Sequence, residues 1–370
     1  MQNPTNEALH AHAWKLLPNI TNQHLTRLHT QFHSFQAAWQ APLSAMKAFS
    51  RTAPETFAHY QRLRPTIKPQ IAFHSLKQYN IHPIYKEDAI YPAQLKPLPD
   101  APWLLYARGN TKLLNTNAPT IAVVGSRKQT SYGREVIRHI IAPLINANIT
   151  IVSGLALGND AGAHIETLKH HGQTIAVLGS GSNDTSITPP SNFNLARRIL
   201  DNHGLILSEY PPHTPGLAHH FPARNRIIAG LSAATIVIEG ALKSGALITA
   251  RLAAEYGREV WAVPGSIFSQ TSAGCNHLIE EGAHPFTTTA HILETLDITP
   301  DPTALTKIPS LANNPVATKI FQLLQQQPRT PDAIASTLNI TPTTIIQTLS
   351  ELEISGLIHS SGDQIFRATS

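Results

Sequence analysis

The stretch Phe221-Pro222-Ala223-Arg224-Asn225-Arg226-Ile227-Ile228-Ala229-Gly230-Leu231-Ser232 sets two arginines about an asparagine, directly behind an aromatic ring and a proline. Proline suits a first helical turn, where its missing N–H needs no partner, so a helix over about 222–231 is predicted. On it Arg224 shares a face with Ile227 and Ile228, while Arg226, about 200° round the axis, points elsewhere. A charge on the core side requires a partner. One arginine is therefore expected to fix structure against a carboxylate and the other to reach a phosphate. Arg224 is the expected structural one, with Glu209 or Glu239 as its carboxylate, which leaves Arg226 as the ligand. The first turn also offers free N–H groups to an anion.

Small and polar residues gather at the ends of apolar runs: Gly125-Ser126-Arg127, Ser153-Gly154, Gly179-Ser180-Gly181, Glu239-Gly240 and Val263-Pro264-Gly265. Backbone amides in such loops cradle anions, and glycine lets a ligand approach closely. Short strand–helix connections explain any one of them; five at one edge, with Arg127 in the first, favour a phosphate site. Lys243-Ser244-Gly245 adds a cation, a hydroxyl and a glycine at a helix start. Asp160 is a natural N-cap with His164 one turn on, but no nucleophile or metal set accompanies them, so a structural hydrogen bond is their expected role. No G-x-G-x-x-G follows Gly125, no ribose-binding acid ends the second run, and no G-x-x-x-x-G-K-[ST] occurs. Cys275 is the sole cysteine, which excludes an internal disulfide and a multi-cysteine metal site. No catalytic residue, cofactor or metal is expected.

Position is supplied by alternating elements. Apolar strands are predicted at 121–125, 149–154, 174–179, 205–208, 235–240 and 260–265, with helices near 133–146, 160–170, 193–201, 245–256 and 275–282, and an edge strand at 285–287. Such alternation means a doubly wound parallel sheet with helices on both faces, and ligands then bind at the carboxyl ends of the strands. Upstream, 81–85 and 103–109 read as strands among Pro-rich turns. Residues 7–64 carry apolar side chains at helical spacing, including Leu9, Leu16, Leu25, Leu28, Phe35, Met46 and Phe49, and are expected to form a small helical module with its own core.

The 370 residues suit two or three domains. Charged residues make up only 14%, below the usual ~25%, so electrostatic contacts must be local. Residues 1–70 hold seven Lys/Arg against Glu7 and Glu55, whereas 309–370 are slightly acidic, with Lys319, Arg329 and Arg367 against Asp332, Glu351, Glu353 and Asp363. No apolar run approaches the ~20 residues of a membrane span, and the start lacks the basic and apolar regions of a signal peptide, so no membrane contact and a cytoplasmic location are expected.

From about Tyr91 to Leu296 the chain resembles the DprA/Smf family of DNA-processing proteins. The resemblance rests on Val124 to Arg127, Ser153 to Asp160 with His164, Ser208-Glu209-Tyr210-Pro211, Phe221 to Ser232, Lys243 to Ala250, Val263-Pro264-Gly265 and Leu278 to Ala283, in that order. It implies an extended Rossmann-like fold over 66–300. It also implies a sterile-alpha-motif-like or helix-hairpin-helix-like start over 1–65, and a winged helix over 313–370 behind a linker at 301–312. It implies a homodimer that binds single-stranded DNA, protects it and loads RecA recombinase on it during natural transformation, with a single-strand-binding protein as a further partner. The nucleic-acid site it carries over is Ser126, Arg127, Ser153, Gly154, Phe221, Arg224, Arg226, Lys243, Ser244 and Gly245, with Asp160, His164, Glu209 and Glu239 as structural support. The chain departs from the family pattern at Asn159, where an apolar residue is usual, over 179–194, which lacks the usual Tyr-Pro, and at His219-His220, where a charge would depend on pH.

The C-terminal run predicts three helices and a hairpin about Gly356 and Gly362-Asp363. Its third helix holds no Lys or Arg but has Glu351 and Glu353, so a protein contact is as well supported as duplex DNA. Two other functions fit parts of the chain. A phosphoribohydrolase-type enzyme on a nucleotide or sugar phosphate would want P-G-G-x-G-T, of which only Pro264-Gly265 is present. A transcription regulator would want a basic third helix. The reading that accounts for most residues is a non-catalytic single-strand DNA-binding mediator.

Overall fold

The computed structural model describes residues 5–45, 54–116, 118–298, 314–354, 357–361 and 365–368. The expected linker 301–312, the apolar positions Met46 and Phe49, and the hairpin residues Gly356 and Gly362-Asp363 lie outside them. The chain divides into two compact units, residues 1–134 with 149–287, and residues 135–148 with 288–370.

The first unit is built on a nine-stranded sheet. In chain order its strands are β1 (His82–Tyr85), β2 (Leu104–Gly109), β3 (Thr120–Val124), β4 (Thr150–Ser153), β5 (Thr174–Leu178), β6 (Leu205–Ser208), β7 (Ala234–Val237), β8 (Glu259–Ala262) and β9 (His284–Pro285). Helices α1 (Asn6–Lys15), α2 (Asn22–Phe32), α3 (Phe35–Gln40), α4 (Pro54–Leu63) and α5 (Pro69–Ser75) precede the sheet. Then come α6 (Ser131–Asn146), of which 135–146 falls in the second unit, α7 (Asn159–Lys169), α8 (Phe193–Asp201), α9 (His220–Leu231), α10 (Gly245–Glu255) and α11 (Ala273–Glu280), while α12 (Thr289–Thr295) belongs to the second unit. The sheet order is β1-β2-β6-β5-β4-β3-β7-β8-β9.

From β6 to β9 every pairing is parallel, as the strand–helix alternation requires. β2 pairs antiparallel with both β1 and β6, so the sheet is mixed rather than wholly parallel. Period-two burial sorts side chains to the two faces. On β5, Ile175 and Val177 join Ile227, Ile228 and Leu247 from α9 and α10. Ala176 and Leu178, on the opposite face, meet Leu168, Leu195 and Ile199 from α7 and α8. The strand order reverses between β3 and β7, which makes their carboxyl ends a crevice.

The N-terminal helices do not close a core of their own. Trp14, Leu25, Leu28 and Phe35 pack with Ile81, just before β1, and with Tyr85, Leu104 and Tyr106 of the first two strands. Leu105 and Ala107, on the other face of β2, belong to the central core. Thr5 caps α1 by accepting from the Ala8 amide at 3.3 Å. His12 Nδ1 lies 2.8 Å from the Tyr106 hydroxyl, and burial lowers its pKa to about 4.

The second unit contains helices Pro315–Gln326, Pro331–Leu338 and Pro342–Ile354 and the antiparallel pair β10 (Ile358–Ser361) and β11 (Ile365–Ala368). Its core is formed by Ile320, Phe321, Leu324, Ile334, Ile345, Leu349, Leu352 and Ile358. Asn314 caps the first of these helices by accepting from the Val316 and Ala317 amides, both at 3.1 Å. On the third helix Thr344, Ile346, Gln347, Ser350, Glu351 and Glu353 face solvent.

Candidate nucleic-acid interface

A cleft of about 430 Å³ opens at the carboxyl ends of the central strands. The loop after β3 supplies Gly125, Ser126 and Arg127, α9 supplies Phe221, Arg224 and Asn225, and the start of α10 supplies Lys243, Ser244 and Gly245.

The loop after β3 is held by its backbone, which leaves its cation free to face solvent. The Ser126 amide donates to the Glu239 carbonyl at 2.7 Å, and Ser126 Oγ accepts from the Lys128 amide at 3.0 Å. The Ser126 carbonyl accepts from the amide of Asn159 at 3.1 Å and from its side chain at 3.2 Å. Gly158, at φ +80°, passes so close that a Cβ there would stand 2.3 Å from that carbonyl. Arg127 is exposed, and its guanidinium lies over the Phe221 ring at 5.5 Å. Phe221 is half-buried, with one edge close to Gly179, where a Cβ would stand 3.0 Å from the ring.

The two arginines of α9 do diverge, but their partners are not those the sequence predicted. Arg224 is buried and lines the cleft. It donates to the carbonyls of Gly154, at 2.5 Å, and Val177, at the ends of two strands, and not to Glu209 or Glu239. Burial lowers its pKa to about 10, opposed by the Asp160 carboxylate, so it stays charged at neutral pH. Arg226, expected as a phosphate ligand, does not line the cleft. Its Nη2 donates to Glu209 at 2.8 Å, and its Nε stands 3.4 Å from Asp100. Burial disfavours its charge, but Glu209 and Asp100 more than offset that and raise its pKa. The carboxylate predicted for one arginine therefore belongs to the other.

Two further candidates are occupied internally. The Ser153 hydroxyl, fully buried, donates to the Val123 carbonyl at 2.7 Å. The Gly154 amide donates to Asp160 at 3.2 Å, and a Cβ on Gly154 would overlap the Arg224 guanidinium at 2.2 Å. Both brace the cleft from behind. Gly158, rather than Asp160, occupies the N-cap position of α7. Burial raises the Asp160 pKa against the effects of Arg224 and the amides of Gly125, Ala156 and Gly154. His164 does not bond Asp160; its Nδ1 meets Thr174 Oγ1 at 2.7 Å, and burial together with Arg224 lowers its pKa to about 3. Glu239 accepts from the Thr130 amide and the Asn159 side chain, both at 3.2 Å, so it anchors the loop that carries Arg127.

Lys243 is exposed, and Ser244 caps α10 by accepting from the Ala246 amide at 3.3 Å. The first amides of α10 thus open beside two exposed cations. Asn225 ties the two helices together through its bond to the Gly245 carbonyl at 3.1 Å. The sequence did not single out Asn225, Asp100 or Lys15; each reaches its partner only through the tertiary fold. Asn159, noted as a departure from a family pattern, is a buried brace between the β3 loop and Glu239. His220, expected to offer a pH-dependent charge, is buried against Tyr210, with rings 4.0 Å apart. Burial and the neighbouring His219 lower its pKa.

A family model described as DNA recombination-mediator protein A matches residues 82–297, and one described as the DprA winged helix domain matches 292–364. The chain belongs to the DNA recombination-mediator protein A family. It is 44% identical over 221 residues to DNA processing protein DprA of Streptococcus pneumoniae, covering 60% of this chain and 76% of that one. Protein Smf of Synechocystis is 37% identical over 290 residues, 78% of this chain and 72% of its own length. The crystal structure of the Streptococcus pneumoniae protein matches with a TM-score of 0.66 at 35% identity, covering 79% of this chain and 98% of that chain. A DNA processing protein A from Helicobacter pylori, described for its single-stranded DNA binding mode, matches with a TM-score of 0.53 at 31% identity, over 60% of this chain and 98% of that chain. Recombination-mediator protein A is a DNA-binding mediator and not an enzyme, which sets aside the phosphoribohydrolase reading. Among the described residues no helix is long and apolar enough to cross a membrane.

Proposed function

We propose that this chain binds single-stranded DNA in the cleft at the carboxyl edge of its sheet, protects incoming DNA and loads RecA recombinase on it during natural transformation. It acts as a cytoplasmic homodimer, with RecA and a single-strand-binding protein as protein partners. One observation carries the DNA reading: an exposed cation, Arg127, lies over a half-buried aromatic, Phe221, in a cleft that Lys243 and the first turn of α10 also border. Phosphates would meet Arg127, Lys243 and the α10 amides, while a base stacks beside Phe221. Stacking on an aromatic face is tolerant of sequence and contributes about 1–3 kcal/mol per base. Arg224 sits beneath this surface and holds the strand ends in place.

The test is binding of the full chain to a single strand, a duplex and a mononucleotide of matched label. Strong preference for the single strand, with little dependence on its sequence, is expected. Equal affinity for duplex or for the mononucleotide would reject the reading. RecA filament growth on strands coated by single-strand-binding protein tests the loading step, and no acceleration by this chain would remove it.

A further inference from the structure

Two cations and two carboxylates meet beneath α9. Lys15, the last residue of α1, places its Nζ 3.4 Å from Glu209 Oε1, with both side chains 5% or less exposed. Arg226 donates to the other oxygen of Glu209 at 2.8 Å and reaches Asp100 at 3.4 Å. Tyr256 donates to the two oxygens of Asp100 at 2.8 and 2.9 Å. The four charges balance. Because Lys15 supplies Glu209 with a second cation, Arg226 is shared with Asp100 and the helix it belongs to is held from two sides.

The same ammonium touches the cleft by a second route. Lys15 Nζ lies 5.8 Å from the centroid of the Tyr210 ring. Tyr210 stacks on His220 with ring centroids 4.0 Å apart and planes 23° from parallel. His220 directly precedes Phe221, whose ring edge is confined by Gly179. A residue 206 positions upstream of Phe221 in the chain is thereby two side-chain contacts from it.

We infer that Lys15 is a positioning residue for the cleft: through Glu209 and Tyr210 it sets the start of α9 and the orientation of Phe221, without touching DNA. The inference rests on the cleft being the single-strand site. Neutralising Lys15 leaves two carboxylates to one arginine in a largely buried place. Arg226 is then drawn between them, the Tyr210–His220 stack loses its cation, and Phe221 turns from its place beside Arg127.

The test uses the full chain, an oligothymidylate probe and the near-isosteric Lys15→Met. Energetic coupling through packed networks of this kind typically changes affinity about two- to thirtyfold, and a loss in that range is expected. The salt dependence stays at its parental slope, because no phosphate contact is removed. Lys15→Arg restores binding. In a Phe221→Ala background Lys15→Met has no further effect, since the group it positions is gone. A lower melting temperature with parental affinity, or the same loss in the Phe221→Ala background, overturns the inference. Tyr210→Leu cuts the second route and leaves the ion pairs in place; it too is expected to weaken binding. A single 4-fluorophenylalanine at position 221 reads the free protein: its fluorine resonance moves in Lys15→Met and returns in Lys15→Arg. An unmoved resonance rejects the coupling even if the parent binds no oligothymidylate, whereas a moved resonance with no parental binding would place the failure in the DNA reading.

Discussion

The sheet-edge cleft and the third helix of the C-terminal unit invert what their folds announce. A winged helix is a familiar reader of duplex DNA, yet helix Pro342–Ile354 has no Lys or Arg and presents Thr344, Gln347, Glu351 and Glu353 to solvent. The Rossmann-like sheet belongs to a fold best known for nucleotides, yet its edge carries exposed Arg127 and Lys243 beside a ring and a helix start. Fold supplies a platform, and the few charges placed on it decide which anion it meets. The cleft also differs in what lies beneath it. Its supports are buried ions and backbone bonds, whereas the C-terminal unit rests on an apolar core.

The largest effect should come from that buried support. Glu209→Gln leaves buried Lys15 without a carboxylate and Arg226 with Asp100 alone, and a loss of about 3–5 kcal/mol is expected in denaturant unfolding. Glu351→Gln, on the exposed face of the third C-terminal helix, should stay within about 0.5 kcal/mol. Equal effects from the two variants would dissolve the contrast.

Acid sharpens it further. His12 and His164 are held neutral by burial, with pKa values lowered from 6.5 to about 4 and about 3. The unfolded chain therefore takes up protons first as pH falls. The stability these two histidines contribute is complete above about pH 6.5. It is lost progressively down to about pH 4 for His12 and about pH 3 for His164. By pH 5 each should have surrendered about 2 kcal/mol. Unfolding midpoints at pH 7 and pH 5 measure this, and a flat profile would contradict it.

At the cleft surface the expected change is in binding rather than stability. Arg127→Ala should weaken single-strand binding at an unchanged melting temperature, and lower the log–log salt slope by about 0.7. An unchanged slope would remove Arg127 as a phosphate ligand. Smallest of all should be the effect of deleting 309–370, which leaves single-strand binding largely intact because that unit offers no basic face on its third helix. A collapse of binding in a truncation that still folds would make the winged helix a principal DNA surface.

Much of the fold was legible because strand runs such as Thr174–Leu178 are apolar on both faces and alternate with amphipathic helices. The antiparallel placement of β2 was not, since a short apolar strand between Pro-rich turns carries no mark of its partner. At the site, loop composition identified Arg127, Lys243 and Ser244 as residues that the structure brings together. Helical spacing showed that Arg224 and Arg226 diverge. It could not name their partners, because Asp100, Glu209 and the Gly154 carbonyl arrive from separate loops. Ser153 and Gly154 resembled anion ligands because a small polar residue at a strand end serves equally well as an internal strut.

The place of β2 in the sheet also imposes an order on synthesis. The N-terminal helices can pack on β1 and β2 using residues no later than Tyr106. The free edge of β2 must then wait for β6, whose first residue, Leu205, follows Gly109 by almost a hundred positions. At about 5–20 residues per second that interval lasts roughly 5–20 s on the ribosome. Throughout it Lys15 lacks Glu209, which directly follows the last residue of β6 in the chain. The nascent chain therefore carries an open strand edge and an unmatched ammonium until the sheet joins its two halves, and this is the stage at which a chaperone would find most to hold.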